Sequence, residues 1–283
     1  MNYLNIIRSI FKYQPFEKFL YCFVENAKVD ELKYKLVPMP HLYKSSDFRL
    51  VTRNGVKLKL WINDLVDWFT FWGFYDASIS FLLQHIDEGF TIIDIGTNKG
   101  IVALNMGKKA GKKGRVIGFE PNKIAYNCCL ENIQLNNFGN IEILNNALGD
   151  KKEQLFLSEP DLNNSGGNFV TTTQNSNTVD VLVLDSVVES KSLPKIDLIK
   201  IDVEGFELNV LKGGFNTIEK YKPALFVELV NSNLLRNQTS AKELVELLIK
   251  LGYRVTNSIS GHAINGDTDF SEASYDIYCQ PIK

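Results

Sequence analysis

The spacing of hydrophobic and polar positions divides the first ninety residues into three kinds of segment. Residues 3 to 24 mix aromatic and aliphatic positions with charges, which predicts a pair of amphipathic helices. Residues 47 to 62 alternate around Asn54-Gly55, and this two-residue turn signal predicts a β-hairpin. Residues 64 to 88 predict helix and carry an aromatic cluster: Trp68, Phe69, Phe71, Trp72 and Phe74. We expect this cluster in the core or in a lid packed over the sheet, and the alternative is a dedicated aromatic ligand site.

From residue 90 the pattern changes to apolar runs that alternate with helix-like segments. The runs lie at 91–95, 115–119, 140–144, 196–203 and 223–230. The helix-like segments lie at 99–110, 122–136, 204–220 and 239–251. This alternation predicts an α/β fold with a mostly parallel sheet between helices. Further strands are predicted at 153–157 and 179–184, and an antiparallel pair at 253–258 and 274–281, while residues 158–178 predict a surface loop.

Composition narrows the function without identifying it. The 283 residues suit one α/β domain at 76–283 with an N-terminal extension at 1–75. The formal charge is −2 and no basic block occurs, so nucleic acid is not an expected partner. The four cysteines show no metal-ligand spacing and are expected to be reduced thiols of a cytoplasmic protein.

The sequence predicts no membrane span and no signal peptide. Its apolar runs fall short of the roughly 20 residues that cross a bilayer. Charges interrupt the N-terminal apolar residues, and no small-residue cleavage site follows them. The helices at 3–24 are expected to pack on the main domain, and the alternative is contact with a membrane surface or a partner.

The first central strand of the predicted sheet ends in a carboxylate and a glycine-flanked loop. Asp94 closes the run 91–95, and Gly96 and Gly100 allow a tight turn and close approach of the next helix. Asn98 lies between them, and asparagine tolerates the left-handed backbone region. In an open α/β sheet this edge is where a ligand binds.

The next strand ends in Glu120, which can accept hydrogen bonds from both hydroxyls of a ribose. A dinucleotide fingerprint would require glycine at positions 98 and 101, where the chain has Asn98 and Ile101. An anion at Asp94 opposes a pyrophosphate but suits the ammonium and sulfonium charges of S-adenosylmethionine. The pattern therefore favours S-adenosylmethionine over NAD.

Four motifs occur in the order expected of one known family: Asp94-Ile-Gly-Thr-Asn-Lys-Gly100, Gly118-Phe-Glu-Pro-Asn122, Asn146-Ala-Leu-Gly149 and Leu198-Ile-Lys-Ile-Asp-Val-Glu-Gly205. Across roughly residues 75 to 230 the chain resembles the FkbM family of S-adenosylmethionine-dependent methyltransferases. The resemblance implies the class I methyltransferase fold, a Rossmann-like, doubly wound, seven-stranded sheet with its last strand antiparallel. It also implies O-methylation, often of sugars, glycans or secondary metabolites.

The resemblance carries cofactor roles to matching positions of this sequence. It places the methionine part of the cofactor at the loop formed by Asp94, Gly96, Thr97, Asn98 and Gly100. It places the ribose at Glu120 with Pro121 beside it, and the adenine next to Asn146, Ala147 and Leu148. Thr97 replaces a more usual alanine, and Asn231 lies near the place where the family often has a histidine.

An alcohol acceptor needs a general base, and carboxylates supply the first candidates. Lys200 and Asp202 are two residues apart in a strand, so they point to the same side. They are expected to form either a buried structural pair or a functional pair. In the functional pair Asp202 lies near the transferred methyl, where it contacts the cofactor and acts as the base, and Lys200 orients it. Glu228, near the end of the next strand, is a second candidate. Glu204 and Glu207 are expected in the first turn of the following helix, where acids also favour the helix dipole.

The sequence offers two further candidate sites, a cation site and a histidine base. Asp202, Glu204 and Glu228 could hold a divalent cation through oxygen atoms, but no ligand spacing demands one, and no metal is predicted. His262 lies in a Gly- and Asn-rich loop, where it is expected to be either a solvated histidine or a base near neutral pH.

The sequence thus favours a cytoplasmic S-adenosylmethionine-dependent O-methyltransferase acting on a hydroxyl of a sugar, glycan or related metabolite. A methyltransferase-like protein that binds without catalysing is the first alternative. An NAD-dependent oxidoreductase is the second, and the broken glycine fingerprint disfavours it.

Overall fold

A computed structural model describes residues 3–27, 31–74, 76–158 and 164–282. The described residues form two compact units: residues up to 77 with 164–167, and residues 78–158 with 168–282. The division into an extension at 1–75 and a domain at 76–283 stays a prediction.

The first unit combines helices with the predicted hairpin. Its elements are α1 (Tyr3–Ile10), α2 (Gln14–Val24), β1 (Phe48–Arg53), β2 (Val56–Trp61) and α3 (Leu65–Trp72), with short 3₁₀ turns at Leu32–Leu36, Pro40–Leu42 and Ser165–Gly167. The hairpin pairs Arg53 with Val56 across Asn54-Gly55, which confirms the predicted turn. Trp68 and Trp72 are completely buried, so the aromatic cluster is core.

The second unit is built on one large sheet. Its strands are β3 (Thr91–Ile95), β4 (Arg115–Phe119), β5 (Ile141–Leu144), β10 (Leu198–Ile201), β11 (Ala224–Val230), β12 (Tyr253–Asn257), β13 (Ala263–Ile264) and β14 (Ser274–Pro281). The helices of this unit are α4 (Ala77–Gln84), α5 (Ile101–Ala110), α6 (Lys123–Asn136), α7 (Leu184–Lys191), α8 (Glu207–Gly213), α9 (Phe215–Tyr221), α10 (Asn231–Arg236) and α11 (Ala241–Lys250).

The strand order of this sheet is β13-β12-β14-β11-β10-β3-β4-β5. Strands β3, β4, β5, β10 and β11 pair in parallel, and β14 is antiparallel to both of its neighbours. The doubly wound sheet with an antiparallel last strand is therefore confirmed. The two-residue β13 adds an eighth strand at one edge.

The additional predicted strands belong to a separate sheet of order β6-β9-β7-β8, formed by β6 (Ala147–Gly149), β7 (Glu153–Leu157), β8 (Val170–Thr171) and β9 (Thr178–Val183). The predicted loop at 158–178 thus contains a short strand, and its residues 159–163 lie outside the described part of the chain.

Three helix predictions need correction. The segment 64–88 is two helices, α3 and α4, because Gly73 ends the first in a left-handed conformation. The segment 204–220 is also two helices, separated at Gly214. Glu204 is not helical: it lies in the turn before α8 with a positive φ of 55°.

Strand register fixes which polar side chains meet at the carboxyl edge of the large sheet. Lys200 of β10 pairs with Asp94 of β3 in parallel, and Glu228 of β11 pairs with Asp276 of the antiparallel β14. The apolar residues of these strands pack into a buried core with the flanking helices. Within the described ranges, none of the helices combines the length and apolar character needed to cross a membrane.

Candidate active site at the carboxyl edge of the sheet

The loop after β3 has the backbone that the sequence predicted. Asn98 adopts a left-handed conformation with a φ of 51°, as do Gly96 at 85° and Gly100 at 83°. A Cβ at position 96 would lie 1.7 Å from the backbone oxygen of Asp202, so glycine lets this loop pack directly against the end of β10. At position 100 the nearest atom to a Cβ would be Sγ of Cys129, 2.5 Å away, which brings α6 close to the loop.

Glu120 is held by backbone donors at the end of β4. Its Oε2 accepts from the Asn98 amide at 2.7 Å, and its Oε1 accepts from the Asn122 amide at 2.8 Å. Burial raises the pKa of Glu120 to about 7, although the two amides oppose the shift. Each carboxylate oxygen has a second lone pair, so Glu120 can also accept from the two hydroxyls of a ribose.

A single ammonium group joins the two aspartates of the site. Lys200 Nζ lies 3.6 Å from Asp94 Oδ1 and 3.0 Å from Asp202 Oδ2. Lys200 and Asp94 have side chains only 3% and 0% exposed, whereas that of Asp202 is 41% exposed. Burial lowers the pKa of Lys200, and the carboxylates of Asp202 and Asp94 more than compensate, so the pKa is raised. Lys200 therefore links the buried carboxylate of Asp94 to the accessible carboxylate of Asp202.

Asp94 is the inner end of this pair. Neither of its carboxylate oxygens has a hydrogen-bond partner among the described residues, and burial raises its pKa against the opposing effect of Lys200. Asp94 is completely buried, so its carboxylate influences the surface of the loop electrostatically and through its ion pair with Lys200.

Acidic side chains surround the accessible carboxylate of Asp202. Carboxylate oxygens of Asp202, Glu204 and Glu228 lie within 4.8 Å of one another. Burial, followed by repulsion from Asp202 and Glu204, raises the pKa of Glu228 far above that of an ordinary carboxyl. Burial also raises the pKa of Glu204 to about 7, and Asn233 donates to its Oε2 at 2.7 Å.

Glu207 stabilises the turn that carries Glu204. Its Oε1 accepts from the amides of Val203 at 3.1 Å and Gly205 at 3.0 Å. Glu207 is therefore a structural cap at the start of α8, which agrees with its predicted position in the first helical turn.

The remaining predicted site residues differ in exposure. Ala147 and Leu148 are buried within β6. Asn146 is half-buried and donates to the Asp180 carbonyl at 3.4 Å, and Thr97 donates its hydroxyl to the Asp94 carbonyl at 3.1 Å. The carbonyl oxygen of Pro121 accepts from Asn145 at 2.9 Å.

His262 lies in an exposed turn between β12 and β13. Its backbone carbonyl accepts from the Asn257 amide at 2.9 Å, and its own amide donates to the Ser260 hydroxyl at 3.4 Å. These backbone contacts fix the turn, and no contact of its imidazole with the carboxylate cluster is found among the described residues.

Several polar residues of this edge were not predicted. Asp276 of β14 lies opposite Glu228, and it accepts a hydrogen bond from the Ser78 hydroxyl. Ser78 also lies 3.0 Å from the Ser258 hydroxyl. Asn145 donates to the Glu120 carbonyl at 2.8 Å. Asp276 is a charged residue within the otherwise apolar stretch Tyr275-Asp-Ile-Tyr-Cys279, and this was a usable signal. The sequence gave no such signal for Ser78 or Ser258.

The donor atoms at this edge fit a cationic nucleoside-like ligand. The Asn98 Oδ1 atom is buried without a hydrogen-bond partner in the described part of the chain, and Glu120 retains acceptor capacity toward a diol. The two carboxylates of Asp94 and Asp202 outnumber the ammonium of Lys200 that pairs with both, which favours a ligand that carries positive charge. S-adenosylmethionine has an ammonium, a sulfonium and a ribose diol, so the residues present fit it.

The fold and this edge define a class I methyltransferase architecture, and comparison with known proteins specifies the family. Residues 94–255 match the model of the methyltransferase FkbM domain. The chain therefore belongs to the FkbM methyltransferase family, which confirms the resemblance seen in its motifs.

Two relatives and one solved structure are similar to this chain. It is 32% identical over 141 residues to hexuronic acid methyltransferase AglP of Haloferax volcanii, a match that covers 50% of this chain and 56% of that protein. An uncharacterized protein of Methanocaldococcus jannaschii is 36% identical over 77 residues, 27% of each chain. Methyltransferase FkbM of Methylobacillus flagellatus aligns over 99% of this chain and 62% of its own, with 16% identity and a TM-score of 0.48. The chain thus matches only about half of AglP.

Proposed function

We propose that this protein is an S-adenosylmethionine-dependent methyltransferase that modifies a hydroxyl of a sugar, glycan or related metabolite. One observation carries the proposal: Lys200 bridges Asp94, under the candidate cofactor loop, and Asp202, the accessible carboxylate of the acidic cluster. A cofactor position and a candidate base are thereby coupled through one ammonium group. Family membership and the sheet topology support the same assignment.

Residues at the end of β3 and β4 would hold the cofactor. Glu120 would accept the ribose hydroxyls while the Asn98 and Asn122 amides keep its carboxylate oriented. Gly96 and Asn98 would present backbone and amide groups to the methionine part, and Asp94 would supply negative charge beneath them. When bound, S-adenosylmethionine supplies an electrophilic methyl group on sulfur.

The acidic cluster would prepare the acceptor. Asp202 is the candidate general base, because Lys200 holds one of its oxygens and its side chain is 41% exposed. Glu228 would remain protonated near neutral pH and donate a hydrogen bond to the acceptor, because burial and neighbouring acids raise its pKa. His262 is the alternative base, and its exposed turn gives it access to solvent.

The acceptor class follows from the charge of this cluster. AglP is named for hexuronic acid, a sugar that carries both hydroxyls and a carboxylate. Asp202 and Asp276 would repel a carboxylate and leave a neutral hydroxyl the better acceptor. We therefore expect a methyl ether product, which resists alkali, and not a methyl ester, which alkali hydrolyses.

A binding experiment tests the cofactor. Thermal unfolding with S-adenosylhomocysteine should show a higher midpoint than the free protein, and NADH should leave it unchanged. Glu120→Gln should weaken the effect of S-adenosylhomocysteine, while Glu142→Gln, which removes the ion pairs of an exposed β5 carboxylate with Arg115 and Lys191, should preserve it. Stabilisation by NADH alone would contradict the cofactor assignment.

A transfer experiment tests the chemistry. Labelled S-adenosylmethionine is incubated with neutral hexosides, hexuronic acids and glycans, and the products are treated with alkali. Asp202→Asn should reduce transfer about 10²- to 10⁴-fold, and the exposed control Asp150→Asn should not. Loss of transfer in His262→Ala but not in Asp202→Asn would move the base to His262. Cofactor binding with no transfer to any acceptor would favour a binding protein.

A further inference from the structure

The second helix of the N-terminal unit exposes one face of aromatic side chains. Phe16, Phe19 and Phe23 are spaced three and four residues apart, so they lie on one side of α2, and they are 47%, 73% and 53% exposed. The buried side of the same helix carries Glu17, Leu20 and Val24. Helix packing in this unit therefore leaves the phenylalanines outside its core.

Neighbouring side chains hold this face in place. Tyr13, 66% exposed, packs edge-on against Phe16 with ring centroids 6.0 Å apart. The Phe16 ring also lies 6.4 Å from that of Phe11. We call Tyr13, Phe16, Phe19 and Phe23 the aromatic face. A contiguous exposed set of large aromatic side chains is uncommon on a soluble domain and marks an interaction surface.

Two lysines lie beside the aromatic face. Lys33 Nζ lies 5.4 Å from the centre of the Phe23 ring, and Lys18 is exposed within α2. Residues 1–75, the predicted extension, contain eleven Lys and Arg against seven Asp and Glu, a formal charge of +4, and residues 76–283 carry −6. The overall charge of −2 thus conceals a basic N-terminal region.

We infer that the aromatic face is a docking surface for an anionic lipid bilayer. Aromatic rings at the headgroup level with lysines beside them are the composition of helices that lie in a membrane interface. Lysine is depleted from protein–protein interfaces, and two copies meeting through this face would bring like charges together. Charge complementarity therefore selects anionic phospholipid over a second copy of the chain. The inference rests on the N-terminal unit and is independent of the proposed methyl transfer.

Vesicle binding by the 283-residue protein tests the inference. The protein should sediment with phosphatidylcholine vesicles that contain phosphatidylglycerol. Much less protein should sediment with pure phosphatidylcholine vesicles. Added salt should weaken binding, because it screens the attraction between the basic region and the lipid headgroups. Equal binding to both vesicle types, or none to either, would overturn the proposal.

Matched variants separate the aromatic from the electrostatic contribution. Phe19→Ser should lower the partition coefficient about tenfold, whereas Ile259→Ser, at a similarly exposed position of the other unit, should not change it. Lys18→Gln should lower binding to anionic vesicles about fivefold, and the control Lys250→Gln should have no effect. Unchanged unfolding midpoints would show that the variants are folded.

Sedimentation of the protein without lipid tests the second-copy alternative. A monomer that binds vesicles supports the inference. A dimer that Phe19→Ser dissociates, with no vesicle binding, would assign the aromatic face to self-association and overturn it.

Discussion

Replacement of Lys200 by methionine is the sharpest test of the buried ion pair at the centre of the site. Methionine keeps most of the volume of the side chain and removes only the ammonium. The Lys200 side chain is 3% exposed and Asp94 is completely buried, so no water replaces the lost charge at the inner carboxylate. The outer carboxylate, Asp202, is 41% exposed and regains hydration.

The expected loss of stability comes mainly from Asp94. At the observed 3.6 Å separation, the attraction is about 4–5 kcal/mol for an effective dielectric constant of about 20. The attraction offsets the desolvation of both charges in the native protein, so removing one partner leaves a buried, uncompensated carboxylate. We expect Lys200→Met to lower the free energy of unfolding by about 3–5 kcal/mol near pH 8.

The loss should depend on pH in a defined direction. Burial already raises the pKa of Asp94 above its ordinary value of 3.8, and removal of Lys200 raises it further. The folded variant then keeps a proton that the unfolded chain releases, so its stability falls as pH rises from about 4 until Asp94 ionises. The defect should therefore be smaller near pH 5 than near pH 8.

Urea unfolding at both pH values measures this effect. Lys195→Met is the control, because Lys195 pairs with Asp197 at 2.8 Å but is 51% exposed, and it should cost no more than about 1 kcal/mol. Adding Asp94→Asn to Lys200→Met should recover part of the loss. A Lys200 variant as stable as the Lys195 control at both pH values would refute the reasoning.

Three further substitutions test other parts of the structure. Gly96→Ala should cost at least about 2 kcal/mol in urea unfolding, because its φ is 85° and a Cβ would lie 1.7 Å from a backbone oxygen. Glu228→Gln should raise stability near pH 8 by at least about 1 kcal/mol but not near pH 4, since its raised pKa makes ionisation in the folded state costly, while methyl transfer should fall. Arg49→Met should destabilise the first unit by about 3–5 kcal/mol, because it leaves the buried Glu17 without the guanidinium that donates to it at 2.7 and 2.8 Å; Arg254→Met, at an exposed position, should not.

Much of the fold was predictable from local pattern. The predicted strands 91–95, 115–119 and 153–157 coincide with β3, β4 and β7. Continuous apolar runs bounded by polar turns define buried strands well, because both faces of such a strand must be apolar. The helix predictions at 64–88 and 204–220 were too long, since apolar spacing alone did not reveal where Gly73 and Gly214 divide the helices.

The local geometry of the candidate cofactor edge was predictable for a related reason. Asp94 and Glu120 lie at the ends of strands, and Asn98 lies in a left-handed turn. The residues next to them in the chain determine such features. Lys200 of β10 and Asp202, directly after it, point to the same side because of the two-residue repeat of a strand. The 3.0 Å distance between Lys200 Nζ and Asp202 Oδ2 confirms that geometry.

Other features were decided by tertiary structure alone. Parallel pairing of β10 with β3 places Lys200 beside Asp94, more than a hundred residues away, and antiparallel pairing of β14 with β11 brings Asp276 to Glu228. Whether Phe19 is core or surface likewise depended on which side of α2 packs into the first unit, the side of Glu17, Leu20 and Val24. Local sequence determined which residues end each strand or turn, because short-range sterics and hydrophobic period act there. Only the folded sheet decided which carboxylates pair with the ammonium of Lys200, because packing across the whole domain sets strand order and register.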